Sequence, residues 1–83
     1  MANYEVQVRT LRNADGLELG CTQILSTTDY DEAWAASGYE LVFWKSHREN
    51  IAPGEHINVE ILCPVPFNSW LVEVQYWEVY KED

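Results

Sequence analysis

The stretch that most constrains the fold is residues 38–46, which read GYELVFWKS. In an extended chain, successive side chains point to opposite faces, so apolar residues of this run occupy both faces. One face receives Tyr39, Leu41 and Phe43, and the other receives Val42 and Trp44. A strand that is apolar on both faces is normally covered on both faces. The pattern therefore predicts a strand in the middle of a sheet.

Four other segments alternate between apolar and polar residues, as strands with one wet face do. They are residues 4–9, 17–25, 57–63 and 70–80. Gly16 lies between the first two segments and predicts a hairpin loop, because glycine adopts positive φ at little cost. Ile24 is out of phase with its neighbours, which predicts a β-bulge or a twist at this point.

One short helix is predicted between the second and third strands. Thr28 or Asp29 can cap its free N–H groups, and the acidic residues that follow suit the positive end of a helix dipole. An apolar stripe at helical spacing contains Tyr30, Ala33, Trp34 and Ser37. Gly38 is interpreted as the residue that ends the helix.

The element order is therefore ββαβββ in a single domain, residues 1–83. We expect an α+β fold with a twisted, mostly antiparallel five-stranded sheet and one short helix across a face. A small, partly closed barrel is the alternative.

The charge of the chain restricts its partners. Fourteen acidic residues stand against five basic ones, for a net charge of −9. Such a surface repels nucleic-acid phosphates and anionic membranes and attracts a basic protein. No segment predicts a signal peptide or a membrane span, and two cysteines are too few for a disulfide scaffold. A cytoplasmic protein is expected.

Catalytic, cofactor and metal sites are not predicted. Cys21, Cys63, His47 and His56 have no zinc-type spacing, and both cysteines fall in the inward phase of their strands. Neither histidine is placed to activate a nucleophile, and the four glycines form no phosphate-binding loop.

The acidic residues are the predicted partner-binding groups. Glu60 and Glu73 fall in the outward phase of their strands, as do Glu5 and Glu18. Carboxylates on one sheet face recur at roughly 5–7 Å, a spacing comparable to that of phosphates along a nucleic-acid strand. A second cluster at the helix start contains Asp29, Asp31 and Glu32.

Aromatic residues are the other candidates for contact. Trp77 interrupts the polar phase that Glu73 and Gln75 establish. Either Trp77 packs in the core or it is exposed as an anchor for a partner. Phe67, in the loop before the last strand, has the same two interpretations.

These features favour a non-enzymatic inhibitor that occludes a basic, nucleic-acid-binding surface of its target. In size and charge the chain resembles phage inhibitors of host defence, such as anti-CRISPR proteins, and bacterial toxin immunity proteins. One alternative is a homo-oligomeric structural or accessory module, possible as a homodimer because an open sheet has a free edge. The other is a small hydrolase or isomerase with its pocket between helix and sheet.

Overall fold

The computed structural model describes residues 3–65 and 74–81. Its strands are β1 (Asn3–Arg12), β2 (Glu18–Thr27), β3 (Glu55–Val65) and β4 (Val74–Tyr80). The helix α1 (Tyr30–Ser46) follows β2, and one turn of 3-10 helix (Arg48–Asn50) precedes β3. The observed order is ββαββ.

All strand pairs in the sheet are antiparallel, and the strands lie in the order β2-β1-β3-β4. The two central strands are therefore β1 and β3, which are distant in the chain. The mostly antiparallel sheet with one helix was correctly predicted, but the prediction of five strands was wrong, because the sheet has four.

The missing strand is the predicted central one. Residues 39–46 form the second half of α1, and Gly38 lies inside this helix instead of ending it. Ala33 and Ser37 are fully buried, and Leu41 and Trp44 continue the same inward face at helical spacing. The remaining apolar side chains of the run are exposed. A helix with apolar residues on two sides and a strand with apolar residues on both faces give the same pattern in a short sequence. The pattern of residues 38–46 therefore does not distinguish a helix from a strand.

The start of α1 and the first hairpin agree with the sequence. Asp29 is the N-cap, and its carboxylate accepts a hydrogen bond from the Asp31 backbone N–H at 3.0 Å. Gly16 has a φ of +71°, in the left-handed region that its turn requires.

The core lies between α1 and one face of the sheet. Val8, Ile51, Ile57, Val59 and Val79 form one buried cluster, against which Leu41, Trp44 and Trp77 pack. Val6, Ala33 and Ile61 form a second cluster, and Trp77 packs against this one as well. Complete burial of a side chain of this size typically contributes about 1.5–3 kcal/mol. The helix is thus held by its contacts with all four strands.

Strand β2 is an edge strand and its first seven residues, 18–24, are all exposed. Its pairing with β1 is interrupted twice, because Leu19 and Ile24 are each an extra residue without a partner in β1. The bulge predicted at Ile24 is therefore confirmed. Between the two bulges, the pairing is regular over only four residues, 20–23.

Candidate protein-binding site

The structure divides the predicted partner-binding residues between two sides of the molecule. Asp31 and Glu32 are exposed at the start of α1, on the side of the sheet that the helix covers. Asp29 is exposed beside them, with its carboxylate engaged in the helix cap. Glu60 belongs to the opposite face of the sheet, and Glu73 lies outside the described residues.

The face of the sheet opposite α1 is called the far face below. The register places Gln7, Arg9 and Leu11 of β1 there, opposite Glu60, Asn58 and His56 of β3. The same register adds Tyr76, Glu78 and Tyr80 of β4. Glu5 and Glu18 also belong to this face, which agrees with the phase predicted for them.

Glu60 is not an exposed carboxylate, contrary to expectation, since only 2% of its surface is accessible. The Gln7 side-chain amide donates a hydrogen bond to its Oε1 at 2.7 Å. Its Oε2 lies 2.9 Å from Arg9 Nη2, which makes an ion pair without the angular geometry of a hydrogen bond. Arg9 Nε lies 3.7 Å from Glu18 Oε1, so the guanidinium lies between two carboxylates. Glu60 therefore organises the centre of the far face and is not available to a partner.

A second set of polar side chains lies at the end of the far face, near the first hairpin. His56 is buried, and its Nδ1 lies 2.7 Å from Asn13 Oδ1. The imidazole stacks on the Tyr80 ring with centroids 4.3 Å apart. Between this group and Glu60 lies Asn58, which is 5% exposed, with no hydrogen-bond partner for its Oδ1 among the described residues. Polar side chains thus pack one against another along β3.

The accessible part of the far face is aromatic and acidic. Tyr76 is 54% exposed and Tyr80 is 46% exposed, with Glu78 between them on the same face of β4. The Tyr80 hydroxyl donates a hydrogen bond to Glu78 Oε2 at 2.9 Å, and this bond raises the pKa of the tyrosine. The Glu78 carboxylate thus lies between two exposed tyrosine rings, and its hydrogen bond with the Tyr80 hydroxyl fixes its orientation.

Trp77 lies on the other face of β4, under α1. It is half-buried, packs against both core clusters and makes an edge-to-face contact with Trp34 at 4.9 Å. Of its two predicted roles, the structure supports core packing. Phe67, with the same two interpretations, lies outside the described residues.

Potential metal ligands are scattered in the described part of the chain. No group of three potential metal-ligating side chains occurs among residues 3–65 and 74–81. A depression beside the first hairpin, about 410 Å³ in volume, is lined by residues 12–14 and 53–55, a set that excludes His56. Cys21 is exposed, contrary to its predicted inward phase. Partial desolvation of its thiol by the surrounding side chains, and after it the charge of Glu18, raises the pKa of this thiol. A raised pKa disfavours the nucleophilic thiolate.

Comparison of the chain with protein-family models, with curated proteins and with solved structures found no match. Within the described part of the chain, α1 and the 3-10 turn are both unsuited to crossing a bilayer, in length or in apolar character.

Proposed function

We propose that this protein is a non-enzymatic inhibitor whose far face occludes a basic, nucleic-acid-binding surface of a partner protein. The observation that supports this most directly is the row Tyr76, Glu78 and Tyr80 on β4, in which exposed rings flank an exposed carboxylate. Tyrosine is enriched among the side chains that dominate binding energy at protein interfaces.

The charge of the chain supports a basic partner. A net charge of −9 favours encounter with a basic surface, and rim charges act mainly on the association rate. Glu5, Glu18 and Glu78 are the described acids that this face offers, since Glu60 is neutralised by Arg9. Glu73 is not counted among them, because its phase in the sequence is that of Gln75 and Trp77, which pair with the core-facing residues of β3. The acids at the start of α1 lie on the other side and contribute to the long-range field only.

The contacts beneath the exposed side chains support a rigid binding surface. Gln7, Arg9 and Glu60 hold one another under the exposed side chains, so little side-chain order has to be gained on binding. The occluded target surface is proposed to be one that otherwise binds nucleic acid, because a surface that binds phosphates is basic and attracts the carboxylates of this protein.

The experiment starts with capture of the partner from the native host and identification by mass spectrometry. Association with the purified partner is then measured over a range of salt concentrations for the wild type, Glu78→Lys and Tyr76→Ala. Glu49→Lys is the matched control, because it makes the same charge change at an exposed position in the 3-10 turn.

Glu78→Lys is expected to slow association about tenfold at low salt and to flatten the salt dependence, whereas Glu49→Lys changes it less than about threefold. Tyr76→Ala is expected to speed dissociation about tenfold or more. Nucleic acid should compete with this protein for the partner. Equal effects of the two charge reversals, or a ternary complex with nucleic acid, would contradict the proposal.

A further inference from the structure

The side of α1 that faces away from the sheet has an apolar stripe of its own. Tyr39 is 74% exposed, Val42 is 63% exposed and Phe43 is 36% exposed. Ala35 and Ser46 are exposed too, so the residues along the middle of this side are 35, 39, 42 and 46. Their spacing of four, three and four residues is that of a helix seam that packs against another helix. We call these five residues the outer stripe.

Charges of opposite sign flank the two ends of the outer stripe. Asp31 and Glu32 lie at its N-terminal end and Lys45 at its C-terminal end, and all three side chains are exposed. Asp31 is the acid on the flank that Lys45 shares. Glu32, seven residues before Tyr39, instead continues the middle of the stripe. Fourteen residues separate Asp31 from Lys45, which is close to four helical turns, so they lie on the same flank. Neither takes part in an ion pair within the described residues.

We propose that the outer stripe binds a second copy of this chain, α1 against α1, with the two helices antiparallel. A two-fold axis near Tyr39 then places Asp31 of each copy opposite Lys45 of the other, so one complementary contact forms twice. A parallel pair would instead place like charges together at both ends. The charges therefore select the antiparallel arrangement.

The shape of the stripe agrees with this occupant. A depression of about 190 Å³ is lined by Tyr39, Val42, Phe43, Ser46 and His47. This depression lies beside the proposed two-fold axis, where it would receive the Tyr39 ring of the second copy. The absence of a side chain beyond Cβ at Ala35 allows the helices to approach closely at the other end of the seam.

The size of the contact predicts a weak dimer. Seventeen residues of helix are about 25 Å long, which places the interface among the small, transient ones. Two copies of net charge −9 also repel one another, but at 0.15 M salt this repulsion is screened beyond about 8 Å. We expect a dissociation constant on the order of 10–100 µM.

The test measures self-association by sedimentation equilibrium at 0.15 M salt, for the wild type and for Asp31→Lys and Lys45→Glu. Each variant alone places like charges opposite one another and is expected to dimerise about tenfold more weakly. An equimolar mixture of the two variants restores both complementary contacts, so its affinity should return to within about threefold of the wild type.

Net charge alone makes the opposite prediction for the first variant. Asp31→Lys changes the net charge from −9 by +2 to −7, which lessens the general repulsion between copies. Glu49→Lys makes the same change outside the stripe and serves as the control, with an expected affinity equal to or slightly above that of the wild type. Asp29 is left unchanged so that the helix cap is kept, and circular dichroism verifies the fold of each variant.

Val42→Glu tests the apolar part of the stripe and is expected to remove detectable dimer at 500 µM protein. A wild type that stays monomeric at that concentration overturns the proposal. So does a mixture of charge variants that associates no better than each variant alone. A dimer that resists Val42→Glu and protects β2 amides from hydrogen exchange also overturns it, because the copies then pair through the sheet edge.

Discussion

The two faces of β3 are both buried, yet they are chemically opposite. Ile57, Val59 and Ile61 face α1 and are at most 2% exposed. On the far face, His56, Asn58 and Glu60 are at most 7% exposed. The first face is buried by a helix and the second by the neighbouring polar side chains of β1 and β4. Alternation in a sequence therefore indicates which residues share a face, whereas it does not indicate which face is wet.

The largest effect is expected from the apolar face. Ile61→Ala should lower the free energy of unfolding by about 2–5 kcal/mol, because it leaves a cavity beside Val6 and Ala33. Urea unfolding followed by circular dichroism measures this. Ile24→Ala is the control, since Ile24 is 38% exposed at a bulge and should lose well under half as much. Equal losses would mean that the helix does not define the core.

The polar face should respond next most strongly. Arg9→Leu leaves the buried Glu60 carboxylate without its counter-charge and should cost about 2–3 kcal/mol. This is less than the 3–5 kcal/mol typical of a broken buried pair, because Arg9 is 30% exposed. Adding Glu60→Leu should restore most of the loss, since two apolar groups then meet. If the double variant is no more stable than Arg9→Leu, the pair does not account for the burial of Glu60.

Substitution of two glycines tests whether α1, which covers the apolar face, is one continuous helix. Gly38 lies inside α1 with no atom within 4 Å of an added Cβ, so Gly38→Ala should stabilise the protein by about 0.5–1 kcal/mol. Gly16 has equally open space but a φ of +71°, so Gly16→Ala should destabilise it by about 1 kcal/mol. Thermal unfolding measures both. Destabilisation by Gly38→Ala would instead favour a helix that ends at that residue.

The smallest effect concerns an exposed ion pair, in contrast to the buried one on the far face. Arg12 Nη2 lies 2.6 Å from Asp15 Oδ2, and this hydrogen bond is the main reason that the pKa of Asp15 is lowered from 3.8 to about 2. A carboxyl whose folded pKa is depressed stabilises the fold above its unfolded pKa. Its contribution is therefore complete above about pH 4 and is lost as the pH falls toward 2.

This last prediction is checked by NMR titration of the Asp15 carboxyl. Arg12→Gln should raise the pKa toward 3.8, while the hydrogen bond from the Leu17 backbone N–H still keeps it below that value, with a slight loss of stability at neutral pH. Asp15→Asn should remove the dependence on pH between 2 and 4 that this group contributes. An unchanged titration of Asp15 in Arg12→Gln would show that the guanidinium is not the cause.

Local signals in the sequence predicted the parts of the fold that local chemistry decides. Gly16 at the hairpin, Asp29 at the helix cap and the bulge at Ile24 were all predicted from the identity or phase of one residue. The end of α1 was not, because Gly38 has two interpretations. A glycine inside a helix costs about 1 kcal/mol, and the packing of Leu41 and Trp44 against the core offsets this.

The far face was predicted only in part, for a different reason. The phase of β3 and β1 placed Glu60 and Glu5 on one face correctly. The ion pair of Glu60 depends on Arg9 lying diagonally across from it, two residues along from Gln7, and that requires β1 to pair with β3, which is not its neighbour in the chain. Strand order is not encoded in any single segment. The exposed row on β4 was not predicted, because Tyr76 continues the apolar phase of Val72 and Val74 in the sequence, whereas in the sheet it lies opposite Glu60 on the far face.

The two bulges of β2 lower the tendency of this edge strand to aggregate. Strand β2 contains no lysine or proline, and its only charged residue is Glu18, so few of its side chains oppose the pairing of another chain with this edge. The kinks at Leu19 and Ile24 leave a straight ladder of four residues, too short to serve as a good template for a growing fibril. Deleting Ile24 would lengthen that ladder and should make the protein more prone to form cross-β aggregates during storage.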